Sequence, residues 1–206
     1  MEKHRGKIFG IGLPKTGTLS LHTALSQLGF RSRHNPWPYH KQIIQTGNLI
    51  WEGPPLVKGT EGPDDWDALV HFGMWTFPEL DRTYPGSRFI YNTRGPDAWL
   101  KSCKRWWWRM CSVYNDADTL LHNISIFGIA TYNEDIFRRV YYRHRDEVFN
   151  YFSLDDSAGI QTREKILVLP IEATGKHKAL AEFLGLPAPT IPYPCRNVNM
   201  EDHRGA

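Results

Sequence analysis

Residues 7–21 read Lys7-Ile8-Phe9-Gly10-Ile11-Gly12-Leu13-Pro14-Lys15-Thr16-Gly17-Thr18-Leu19-Ser20-Leu21. The run 7–13 is apolar and punctuated by glycines, and Leu21, Ala24, Leu25 and Leu28 continue it at helical spacing up to Gly29. This predicts strand, loop, helix. A loop at that junction suits an anion, because unpaired backbone N–H groups and the helix dipole favour negative charge and glycines let the backbone come close. A dinucleotide fingerprint fails, since Lys15 occupies its third glycine position. A nucleoside-triphosphatase loop needs lysine after Gly17, where Thr18 stands; the lysine lies two residues before that glycine.

Working outward, short β-rich runs at 67–71, 87–93 and 166–169 alternate with helical patterns at 77–84, 96–110, 134–152 and 178–184. Pro96 fits the first turn of its helix. In 134–152, Ile136, Val140, His144, Val148 and Tyr151 set the apolar face, with Arg138, Arg139, Arg143 and Arg145 among them. Residues 31–66 and 187–194 show no sustained period and are expected to be irregular. Strands alternating with helices predict an α/β fold with a P-loop-type, mostly parallel central sheet and helices on both faces. No internal repeat is present.

The 206 residues fit one domain, and 41% hydrophobic with 23% charged residues is the composition of a globular chain. A net charge of +3 argues against a nucleic-acid partner and leaves room for a local basic pocket. Three cysteines, Cys103, Cys111 and Cys195, form neither a disulfide framework nor a zinc pattern. With no signal-peptide or membrane-anchor stretch at the start, the expected location is cytoplasmic, with no membrane partner.

The displaced lysine carries a resemblance. Pro14-Lys15-Thr16-Gly17-Thr18-Leu19-Ser20-Leu21 is similar to the 5′-phosphosulfate loop of P-loop sulfotransferases that use 3′-phosphoadenosine 5′-phosphosulfate (PAPS), with the pattern P-[KR]-[ST]-G-T-x-x-L. These proteins also carry a 3′-phosphate motif, R-x-P with serine eight residues after the arginine. Arg94-Gly95-Pro96 follows the apolar run Phe89-Ile90-Tyr91, and Ser102 completes the pattern. Arginine at the carboxyl end of a strand is well placed in an open α/β sheet, and its planar fork holds phosphate with two charge-assisted bonds. Asp67-Ala68-Leu69, Tyr84-Pro85-Gly86-Ser87 and Phe183-Leu184-Gly185-Leu186-Pro187 extend the resemblance to a compact, single-domain branch. The glycine-rich C-terminal loop of steroid and phenol sulfotransferases is not recognisable, and Arg196 is a weak stand-in.

The resemblance implies PAPS as co-substrate, 3′,5′-ADP as product, no metal, and a small-molecule or glycan acceptor with a hydroxyl or amine. It implies that Lys15, Thr16, Gly17, Thr18, Leu19, Ser20, Arg94 and Ser102 hold the nucleotide. Lys15 and the loop N–H groups could stabilise charge growing on the leaving 5′-phosphate. The acceptor proton needs a base, and His71 and Asp67 are the candidates. The family's base precedes the arginine by a little over twenty residues; His71 precedes Arg94 by 23 and Asp67 by 27, so His71 is preferred. An imidazole titrating near pH 6.5 is neutral at working pH, whereas Asp67 would need a raised pKa; Asp67 could instead orient the imidazole or hold the acceptor. Trp106, Trp107 and Trp108, with Trp37, Trp51, Trp66 and Trp75, could line an aromatic acceptor pocket or simply pack the core. The arginine-rich helix could meet an acidic acceptor or be a solvated face. Two readings compete: a kinase-like phosphotransferase, and a nucleotide-binding protein of the same fold without turnover.

Overall fold

Alternation along the first strand sets the layers: Phe9 faces one side of the sheet, and Ile8 and Gly10 the other. The computed structural model describes residues 6–46, 65–110 and 116–195. In chain order the elements are β1 (Ile8–Gly10), α1 (Thr18–Gln27), β2 (Ser32–His34), α2 (Trp37–Thr46), β3 (Ala68–Val70), α3 (Phe77–Thr83), β4 (Arg88–Thr93), α4 (Pro96–Met110), α5 (Ala117–Phe127), α6 (Glu134–Phe152), β5 (Gln161–Thr162), β6 (Ile166–Pro170) and α7 (Lys176–Phe183).

The strands form one sheet in the order β2-β3-β1-β4-β6-β5. All neighbours pair in parallel except β5, which lies antiparallel to β6 at the edge. Phe9, Leu69, Phe89, Tyr91, Ile166 and Val168 pack on one face with Tyr39, Phe72, Leu80 and Val148, from α2, α3, α6 and the turn after β3. Ile8, Ala68, Val70, Ile90, Leu167 and Leu169 pack on the other with Leu21, Leu25 and Leu180 from α1 and α7. The α/β reading with helices on both faces is therefore correct. A third cluster, around Trp99, Cys103, Trp107, Phe127 and Phe137, joins α4, α5 and α6 beyond the carboxyl end of β4.

Two expectations change. Residues 31–66 were expected to be irregular, yet they contain β2 and α2; a three-residue strand carries too little pattern to read, and its partner β3 lies over thirty residues away. In α6 the buried positions are Phe137, Val140, Tyr141, His144 and Val148, and Tyr151 is exposed. Among the described residues no helix is long and apolar enough to cross a membrane.

Candidate active site

β1 and β4 are neighbours whose outgoing connections run to opposite sides: α1 leads back towards β2, and α4 leads away towards β6. Such a switch point opens a crevice at the carboxyl ends of the strands. Every parallel strand delivers a residue to it. Lys15 and Thr18 follow β1, His34 ends β2, His71 follows β3, Arg94 follows β4 and Ile171 follows β6, and all line one cavity of about 570 Å³.

The loop after β1 is held from several sides. A Cβ on Gly12 would lie 2.5 Å from the Asn92 carbonyl, so only glycine lets the loop press on β4 there. Thr16 is buried and donates its hydroxyl to the Leu13 carbonyl at 2.7 Å. Trp99 Nε1 donates to the Pro14 carbonyl at 2.7 Å, and Arg94 Nη1 reaches the Lys15 carbonyl at 3.4 Å. Lys15 takes a left-handed conformation, φ 71°, as does Gly17, φ 90°, which caps α1. No side chain caps that helix, and its first bond runs from Leu21 N–H to the Gly17 carbonyl. The amides of Thr18 and Leu19 therefore sit at an open helix N-terminus on the cavity wall.

Arg94 is anchored from behind: Tyr141 donates its hydroxyl to the Arg94 carbonyl at 2.7 Å. Its Nε is buried and has no hydrogen-bond partner among the described residues. Ser102, two turns into α4, is also buried and lines the same cavity. A buried donor kept without a protein partner is costly, and Arg94 Nε is such a donor on a residue of the cavity wall.

On the other flank stand three imidazoles. His34 and His71 rings lie 5.3 Å apart between centroids, and His71 and His122 lie 5.5 Å apart. His71 is left-handed at φ 60°, a conformation that costs energy in a non-glycine residue and concentrates at functional sites. Burial lowers the pKa of both His34 and His122 to about 4, so both are neutral near pH 7. Among the described residues no three His, Cys, Asp or Glu side chains are grouped as ligands of one metal ion. Trp106, Trp107, Phe127 and Phe137 close the aromatic side, with Lys15 Nζ 5.9 Å from the Trp106 ring centre. Cys103 is a buried thiol pushed well above its ordinary pKa by burial, against the pull of Lys15 and Arg94.

The structure thus brings together Lys15, Gly17, Thr18, Leu19, Ser20, His71, Arg94 and Ser102. Thr16 faces inward, its hydroxyl committed to the loop. Asp67 is not in this group. It precedes β3 at the amino end of the sheet, where its carboxylate accepts from the Arg31 backbone N–H at 2.8 Å and lies 3.6 Å from Arg31 Nε. All of β3 separates it from His71, about 3.3 Å per residue, so it neither reaches the crevice nor orients that imidazole. Of the tryptophans, Trp106 and Trp107 line the cavity. Trp108 is 76% exposed, Trp37 packs edge-on against His122, Trp66 and Trp75 pack against core clusters, and Trp51 lies outside the described residues. The arginines of α6 are largely paired: Arg138 with Asp97 and Glu134, Arg143 with Glu147, Arg145 with Asp146 and Asp156. That face is solvated and does not line the cavity. Arg196 lies outside the described residues, although its neighbour Cys195 lines the rim.

His34, His122 and Asn123 were not foreseen as site residues. His122 and Asn123 sit on α5, whose start was legible: Asp116 caps it, accepting from the Thr119 backbone N–H at 2.9 Å, and Gly128 ends it in the left-handed conformation.

The site is a crevice of a P-loop-type α/β sheet, faced by an open helix N-terminus and by an arginine whose Nε has no partner among the described residues. The particular family follows from the sequence pattern of the sulfotransferase domain, which matches residues 7–201; the chain belongs to that family. Its structure is similar to that of a sulfotransferase from Alicyclobacillus acidocaldarius, with a TM-score of 0.56 and 17% identity over 96% of this chain and 87% of that one. At that identity the likeness speaks for the fold. No functionally curated protein matches the sequence.

Proposed function

We propose that this single-domain chain transfers a sulfuryl group from PAPS to a hydroxyl or amine of a small-molecule or glycan acceptor and releases 3′,5′-ADP. The observation that carries the proposal is that Arg94, whose Nε is buried without a partner among the described residues, and the buried Ser102 share the wall of the cavity that the Lys15 loop also lines. Two anionic groups of one nucleotide fit this: the 5′-phosphosulfate at the α1 N-terminus and the 3′-phosphate at Arg94 and Ser102.

In the proposed reaction the acceptor oxygen attacks sulfur while the bond from sulfur to the bridging oxygen of the 5′-phosphate breaks. His71 takes the acceptor proton, and Lys15 with the loop N–H groups stabilises the charge appearing on the departing phosphate. Thr18, Leu19 and Ser20 hold the 5′ end in place. The neutral His122 ring and the aromatic rings make the acceptor side, where the acceptor hydroxyl meets the base. Asp67 has no part. An acceptor screen with isotopically labelled PAPS, read by mass spectrometry, tests the proposal. Labelled sulfated products that vanish with Lys15→Ala support it. Phosphoryl transfer from ATP in place of sulfation, or nucleotide binding without any transfer, would overturn it.

A further inference from the structure

α1 meets the edge strand β2 through two side-chain rungs. Thr18 and His22 stand four residues apart on one face of the helix, and Ser32 and His34 stand two apart on one face of the strand. One rung joins Thr18 Oγ1 and His34 Nε2 at 3.1 Å; the other joins His22 Nδ1 and Ser32 Oγ at 2.9 Å. The second rung pins the helix one turn in. The first lies at the cavity wall, and Thr18 is the first residue of α1, where an anion is favoured.

The Thr18–His34 rung sets the direction of a proton. A threonine hydroxyl has one proton and two lone pairs, and a neutral imidazole carries its proton on one nitrogen only. If Thr18 donates to His34, its proton is spent and lone pairs are left facing the anion. If His34 Nε2–H donates to Thr18, the hydroxyl proton stays available for the anion. His34 is neutral near pH 7: burial holds its pKa at about 4, with His22 and Arg33 pushing the same way. Both tautomers are therefore accessible, and a bound anion selects the second.

We propose that His34 is a positioning residue of the anion loop: its Nε2–H holds Thr18 Oγ1 so that the Thr18 hydroxyl donates to the 5′-phosphate of the nucleotide. This rests on the nucleotide reading above. It separates His34 from the neighbouring His71, whose proposed work is on the acceptor.

Calorimetry on the whole chain with 3′,5′-ADP and with adenosine 3′-phosphate, which lacks the 5′-phosphate, isolates the effect. Wild type is expected to prefer 3′,5′-ADP. His34→Leu should lose roughly ten- to a hundredfold in 3′,5′-ADP affinity, the size of one hydrogen bond to a charged group, and keep its affinity for adenosine 3′-phosphate. His34→Gln, which retains an N–H donor, should recover most of the loss. Thr18→Val should lose about as much as His34→Leu, and His34→Leu added to Thr18→Val should cost little more. Equal losses for both nucleotides, no loss, full additivity with Thr18→Val, or a glutamine variant no better than leucine would each overturn the inference alone. A wild type indifferent to the 5′-phosphate would overturn the nucleotide reading together with it.

Discussion

The two ends of the central sheet treat their polar groups in opposite ways. At the amino end several are satisfied within the protein. The Lys7 backbone N–H donates to Ser87 Oγ at 2.9 Å, Ser87 Oγ donates to the Tyr84 carbonyl at 2.7 Å, Lys7 Nζ donates to the Trp66 carbonyl at 2.9 Å, and Asp67 accepts from Arg31. At the carboxyl end Lys15 and His71 stand in a costly backbone conformation, Arg94 Nε has no partner among the described residues, and α1 has no side-chain cap. In the proposed function, the open donor at the carboxyl end is what the nucleotide meets. The same two ends separate the candidate bases: Asp67 is paired with Arg31 at the amino end, and His71 lines the crevice at the carboxyl end.

The sharpest way to break the contrast is to exchange its two sides. His71→Ala is expected to lower the single-turnover rate by roughly 10²- to 10⁴-fold, the usual span of a general base, with 3′,5′-ADP affinity little changed. Asp67→Asn should turn over near the wild-type rate. A collapsed rate in Asp67→Asn with a near-normal His71→Ala would reverse the assignment.

Lys15→Ala tests the loop. Turnover should fall about 10²- to 10³-fold, the range for losing one preorganised donor to the developing charge. The melting temperature should hardly move, because Lys15 contributes little to any core cluster. An unfolded variant, or wild-type turnover, would contradict this.

Acid stability adds a smaller effect. Burial depresses the pKa of His34 and His122 to about 4 and of His144, within α6, to about 3. Below pH 6.5 the unfolded chain binds protons that these residues refuse in the folded state, so stability falls as pH drops from about 6.5 towards 4 and is flat above. Each histidine adds at most about 1.4 kcal/mol per pH unit in that window. Thermal melts from pH 8 to 4.5 should show the decline, and His144→Phe should make it shallower. A melting temperature independent of pH would contradict the burial of these neutral rings.

The least effect is expected at the amino end. Asp67→Ala removes an acceptor and an exposed ion pair with Arg31, worth up to about 1 kcal/mol, and should shift a urea midpoint slightly with no kinetic consequence.

The parts of this contrast that could be read from the residues are the ones with fixed local spacing. Gly17 and the lysine two residues before it sit between a strand and a helix, and Arg94 and Ser102 are eight residues apart across the first two turns of a proline-opened helix, so short sequence distances fix the spatial ones. His34 is different: it ends a three-residue strand whose place at the sheet edge is set by pairing with β3, far along the chain. His122 reaches the site only because α5 packs beside α4 and α6, a tertiary fact. Asp67 misleads for a related reason. A strand of three residues shows no direction in its composition, and which of its two ends meets the crevice follows from the parallel register with β1. On α6 the arginines suggest an interface, and only the placement of Asp97, Asp156 and the helix's own carboxylates reveals that three of the four are paired.

In the proposed function Arg94 and Ser102 bind the 3′-phosphate. Calorimetry of wild type and Arg94→Ala with 3′,5′-ADP and 5′-AMP measures it directly. Wild type should prefer 3′,5′-ADP, and Arg94→Ala should lose most of that preference, on the order of 2 to 5 kcal/mol for one partner of a buried charge pair. Equal affinity of wild type for the two nucleotides would contradict the claim.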